Sequence, residues 1–130
     1  MRLIPVLLAA LLLPTAAACG GGDGVDKQAS CDKMKNAIKS IGTLQAEESE
    51  KGDADFAKIY TDVAAQIRSA ASSAEDEGVK SAGTQVADAL DELAKAQSSG
   101  QPGGTQALEA SGKLATAAGA FEKHCGPVEN

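Results

Sequence analysis

The stretch Phe56-Ala-Lys-Ile59-Tyr60-Thr-Asp62-Val63-Ala-Ala-Gln-Ile67-Arg68-Ser-Ala70-Ala-Ser-Ser-Ala74 decides the fold class. Its apolar residues Phe56, Ile59, Val63, Ile67, Ala70 and Ala74 recur at spacings of three and four. That period places them on one stripe of an α-helix and on no single face of a strand. Lys58, Asp62 and Arg68 fall on the opposite side, where water would solvate them. Asp53 is a plausible N-cap and Asp55 favours the helix start, because carboxylates accept from the unpaired first N–H groups. Gly78 reads as a left-handed C-cap that ends the segment.

Three further segments follow the same period. The first begins at Ser30, a good N-cap, and carries Cys31, Met34, Ile38 and Ile41 with Ala37 and Leu44 beside them. Gly42 weakens its end, and the polar run Glu47–Gly52 reads as a loop. The third runs from about Val79 to Ser98 with Val79, Ala82, Val86, Leu90 and Leu93 on its stripe. The stretch 98–104, Ser-Ser-Gly-Gln-Pro-Gly-Gly, is a loop by composition. The fourth runs from about Thr105 to Cys125 on Leu108, Ser111, Leu114 (or Ala115), Ala118, Phe121 and Cys125. Gly126-Pro127 stops it. No segment alternates with period two, and β-branched residues are sparse. The expected architecture is all-α, an up-down-up-down four-helix bundle over residues 31–126 with a tail at 127–130.

The core available to such a bundle is thin. Alanine supplies 26 of the 130 residues, and the aromatics are Phe56, Tyr60 and Phe121 alone. Full burial of a large aliphatic side chain contributes about 1.5–3 kcal/mol. Ordering each residue costs about 1.5 kcal/mol. A small alanine-rich domain balanced this closely gains from a covalent staple.

The N-terminus has a different character. Met1-Arg2 is a short basic start, and Leu3–Leu13 is an apolar run broken only by Pro5. The run is shorter than the ~20 residues a membrane span needs. Basic start, short apolar core and small residues before a cut are the marks of an export signal. Ala17, Ala18 and Cys19, followed by three glycines, resemble the lipobox of bacterial lipoproteins, with Ala16 where that family prefers Leu. The resemblance covers residues 1 to about 24. It implies cleavage between Ala18 and Cys19, acylation of Cys19 and attachment to the extracytoplasmic face of the cell membrane. Residues 1–18 are then the signal peptide. Residues 19–30 form the lipidated cysteine and a flexible tether, with a root-mean-square span of roughly 18 Å. The competing reading is a secreted protein cut at an ordinary Ala-x-Ala site.

Cys31 opens the first helix and Cys125 closes the fourth. In an up-and-down arrangement of four helices, those two ends lie together, and an exported location is oxidising. A Cys31–Cys125 disulfide is expected. Its alternative is a metal or redox site built on Cys31, His124 and Cys125, which needs reduced thiols and a fourth ligand. No Cys-x-x-Cys motif supports it. His124, the single histidine, falls in a last helical turn, where a cation suits the dipole. With the pair accounted for, Cys19 is the odd cysteine, and acylation gives it a role.

Composition excludes several functions. The formal net charge is −6 and becomes one unit more negative when Arg2 leaves with the signal. Such a chain lacks the cationic footprint of a nucleic-acid binder. Asp23 and Asp26 lack the spaced ligands of a calcium loop. The acidic groups Glu75-Asp76-Glu77 and Glu47 to Asp55 read as solvated surface. Gly83, Gly112 and Gly119 read as sites of close helix packing, the alternative being a groove for a partner helix or an acyl chain. No nucleophile elbow, second histidine or phosphate loop is present, so no catalytic residue, metal or cofactor is assigned. The expected role is a non-enzymatic interaction or scaffolding module of the cell envelope with a protein partner. The alternative is a module that holds a small apolar or lipid ligand between its helices. An open apolar pocket discriminates in favour of the second, a sealed interior in favour of the first.

Overall fold

The computed structural model describes residues 22–52, 55–101 and 103–129. It is all-helical: α1 spans Gly22–Lys51, α2 Phe56–Ser72, α3 Glu77–Ser98 and α4 Thr105–Cys125, with no strand among the described residues. Short connections at 52–55, 73–76 and 99–104 join them. Consecutive helices pack together, α1 on α2, α2 on α3 and α3 on α4, while α1 touches α3 and α4 only sparingly. Among the described residues α2 and α4 do not meet.

The helix α3 is the centre of the assembly. It buries Val79, Ala82, Val86 and Leu90 but also Ala87, Ala89, Ala94 and Ala96, so two of its faces are covered. Gly83 lets the backbones close up. A Cβ there would lie 2.5 Å from Met34 Sδ and 2.8 Å from Ala71 Cβ, so close packing is the correct reading for this glycine. Gly112 and Gly119 differ: nothing lies within 4 Å of the Cβ each would carry, and both face open space.

Three boundaries depart from the sequence reading. The helix α1 begins at Gly22, not Ser30, and Ser30 is buried within it. Lys27, Gln28 and Ala29 are good helix formers, and extending an existing helix costs far less than nucleating one. Gln28 donates to Asp32 at 2.8 Å, and Lys27 pairs with Asp76 at 3.5 Å, which ties this extension to the start of α3. The segment from Gly22 to Ser30 is therefore helix; Cys19, Gly20 and Gly21 lie outside the described residues. At its other end α1 continues through Gly42 and the expected loop to Lys51. One internal glycine costs only about 1 kcal/mol against alanine. Glu48–Lys51 and Gln45–Tyr60 hydrogen bonds at 2.6 and 2.7 Å hold the last turns, and Gly52 with φ +83° turns the chain out.

Gly78 does not cap α2. That helix ends at Ser72, and Gly78 lies in the first turn of α3. Its lack of a Cβ has another cause: a Cβ would fall 2.5 Å from the His124 ring. Asp76 caps α3, accepting from the Val79 N–H at 2.9 Å, and Asp55 caps α2, accepting from the Lys58 N–H at 2.9 Å. The alternative cap, Asp53, lies outside the described residues. The expected stops at Ser98 and Cys125 hold, the latter followed by Gly126 at φ +75°.

Candidate functional site

Up to Ala117 the burial of α4 is rotated by about one residue from its expected stripe, while Phe121 and Cys125 are buried as expected. Ala107, Ala110, Ala117, Phe121 and Cys125 are buried. Leu108 is 70% exposed, Leu114 is half-buried, and Ser111 and Ala118 are exposed. Small side chains allow α4 to approach α3 closely, where Ala89 and Ala96 are also small and buried. Close packing over a long face outweighs the burial of a single Leu108, because interiors gain from density as well as from area. The rotation turns Leu114 and Ala118 away from α3 towards α1.

The helix α1 does not come across to meet them. The Cys31–Cys125 disulfide pins the two helices with Cα atoms 5.3 Å apart at one end. Above that point they diverge. Ile38 and Ile41, expected as full core residues, are only half-buried for this reason. The result is an apolar groove of about 200 Å³. Ile38 and Ile41 of α1 form one wall, Leu114, Ala118 and Phe121 of α4 the other, and Val86 and Leu90 of α3 the floor. Glu122 stands at the rim, and Val128 reaches in from the C-terminal tail. The lining is carbon almost throughout. An apolar cavity of about 150 Å³ already accepts a benzene-sized molecule and stays dry without one. Other depressions are open and polar-rimmed, such as the one between α3 and α4 beside Gly112, Asp88, Glu92 and Lys113.

Comparison of the chain with protein-family models, curated proteins and solved structures gives no match.

Among the sequence-derived residues, Cys31 and Cys125 come together as expected and are joined covalently. With both sulfurs in that bond, neither is a metal-ligating thiolate, and the Cys31–His124–Cys125 metal site is set aside. His124 is exposed, with its ring over the backbone of Gly78. Among the described residues no three His, Cys, Asp or Glu side chains gather as metal ligands, and no helix is long and apolar enough to cross a membrane. Ala18 and Cys19 lie outside the described residues.

Some surface ion pairs lie within one helix, as Lys58–Asp62 does, and others join neighbouring helices. Arg68 of α2 donates to both Asp88 and Asp91 of α3 at 2.8 Å, and these hydrogen bonds raise its pKa. Lys113 of α4 meets Glu92 of α3 at 2.6 Å, which raises the lysine's pKa. The Val79 N–H, followed by Lys27, holds the Asp76 carboxyl below its usual range. Exposed pairs of this kind are screened by solvent and salt, so they set register between helices more than they set stability.

The groove escaped the sequence reading because its lining residues are the same residue types as a core. Periodicity reports which face is apolar, and it does not report whether another helix covers that face. One signal was present: the fourth segment has alanines at 107, 110 and 117 running beside its leucines, which offers two competing stripes.

Proposed function

We propose that this protein is a lipid-anchored extracytoplasmic lipoprotein whose four helices form an up-down-up-down bundle, and that it binds a small apolar ligand, such as an acyl chain, in the groove between α1 and α4. The observation that carries the binding role is the groove: about 200 Å³ enclosed by Ile38, Ile41, Val86, Leu90, Leu114 and Phe121. Apolar lining of that extent, covered only by Val128 of the tail, favours an apolar occupant through the hydrophobic effect alone. The free space is that of one small molecule, and a partner helix could place no more than a side chain or two in it.

The short connections support the antiparallel order of neighbours, and the disulfide between the first and last helices supports the same order. The disulfide also accords with an exported, oxidising location, and it leaves Cys19 as the unpaired cysteine for acylation. From Gly22 to Ile38, α1 covers about 24 Å of rigid helix. An anchor on Cys19 would thus stay in the bilayer while the groove stands clear of the surface, which favours a free ligand over the protein's own lipid. The envelope-partner role rests on less. Leu108 is the one large exposed apolar side chain among the described residues, and isolated exposed residues of this kind are ordinary.

The test uses the full chain carrying C19S, which blocks acylation, and the apolar fluorophore 1-aminoanthracene. Saturable fluorescence enhancement is expected for the wild-type groove. Ala118→Phe, which directs a ring into the groove from α4, should weaken binding at least tenfold with unchanged helical content. Equal binding by both proteins would refute the groove as the site.

A further inference from the structure

We propose that the C-terminal tail, Gly126–Glu129, is a strap across the apolar groove, with Val128 occupying the place of a ligand's apolar end. The inference rests on the binding role proposed above and adds its regulation. The helix α4 ends at Cys125, whose disulfide fixes the root of the tail against α1. Gly126 then adopts φ +75°, a left-handed conformation that glycine takes without strain, and the chain turns off the helix axis. Two residues later Val128 is half-buried, packed against the core and lining the groove. Its neighbours Pro127 and Glu129 lie over α1 beside Lys35 and Lys39.

The strap is covalently rooted and weakly held. The last hydrogen bond at this end of α4 runs from the Gly126 N–H to the Glu122 carbonyl at 2.8 Å. Among the described residues, no hydrogen bond or ion pair engages Pro127, Val128 or Glu129. One valine side chain, partly buried, holds the tail down. The free space of about 200 Å³ lies beside Val128, so a ligand that fills it and extends towards the tail displaces that side chain first. The tail therefore protects the apolar lining from water when the groove is empty and yields when an apolar ligand competes.

A self-occupied site binds with an apparent dissociation constant raised by the inverse of its open fraction. Release of the valine should tighten binding about three- to tenfold, the range a single partly buried aliphatic side chain supports. The experiment titrates 1-aminoanthracene into the full C19S chain, the same chain lacking residues 127–130, and the same chain carrying Val128→Ser. The serine variant leaves the tail in place and keeps the comparison readable should truncation loosen α4. Three- to tenfold tighter binding by both variants is the expected result. Equal affinity across the three proteins overturns the strap and leaves the groove as a binding site. Weaker binding by both variants also overturns it, because Val128 is then part of the ligand's seat. Absence of saturable binding in all three removes the groove reading and the strap together.

Discussion

Reduction of the Cys31–Cys125 disulfide should destabilise the domain by about 4.7 kcal/mol. The two cysteines are 94 residues apart in sequence, so the bond closes a loop that includes nearly all of the four helices. In the chain-entropy description, the entropy a crosslink removes from the unfolded chain grows with the logarithm of loop length, and a loop near 100 residues gives about 4.7 kcal/mol at 25 °C. Domains of this size have stabilities of roughly 5–15 kcal/mol, so the bond supplies a large share. The midpoint of thermal unfolding should fall by about 20 °C on reduction. The assay is equilibrium urea unfolding of the C19S chain with and without reductant, followed by helical ellipticity. The urea midpoint should drop on reduction. The slope should rise, since an uncrosslinked unfolded chain exposes more surface. The reduced chain should retain the same helices. A stability difference under about 1 kcal/mol would refute the reasoning, because it would mean that the crosslink does not restrict the unfolded chain as the loop-entropy description requires.

Other expectations follow from single residues. Gly83→Ala should destabilise the domain by about 1–3 kcal/mol, because its Cβ meets the buried Ala71 and Met34; Gly112→Ala, facing open space in the interior of α4, should stabilise it by about 0.5–1 kcal/mol, and urea unfolding of the pair checks both signs. Asp76 has its pKa lowered in the folded state by the Val79 N–H and Lys27, so its stabilising contribution is complete above the ordinary carboxylate range and is lost as pH falls through the lowered value. Asp76→Asn, which keeps a capping oxygen, should flatten that acid-side fall in a series of thermal melts between pH 6 and pH 2, and an unaltered profile would show that Asp76 does not contribute. Replacement of Cys19 by Ser should move the protein from the membrane fraction to the soluble fraction of its host and abolish incorporation of a labelled fatty acid.

Sequence periodicity located all four helices, because an amphipathic stripe at spacings of three and four is imposed by the geometry of the helix itself. The strong stripe from Phe56 to Ala70 and the stop at Gly126 are clear examples. The cysteine pair was legible for a topological reason, since Cys31 and Cys125 mark the first and last helices. Boundaries were less legible where a glycine had two meanings. Gly78 looks like a C-cap in sequence, yet it makes room for the His124 ring. Gly42 looks like a breaker, yet the helix passes through it because the turns beyond it are held by Gln45 and Glu48. The groove was the least legible feature. Leu114 and Ile41 satisfy the pattern of buried residues, and the tight alanine contact of α4 with α3 leaves them only half-buried. That choice is made by competition between two apolar faces of one helix, which a hydropathy pattern records without ranking.

Entry of an apolar ligand between α1 and α4 is tested most directly by a methyl NMR titration of the full C19S chain with decanoic acid. Saturable shifts confined to Ile38, Ile41, Val86, Leu90, Leu114 and Val128 are expected, with Val63 of the α2 core and the exposed Leu108 unmoved. Shifts centred on Leu108, or none at the lining residues up to the solubility limit of the acid, would contradict it.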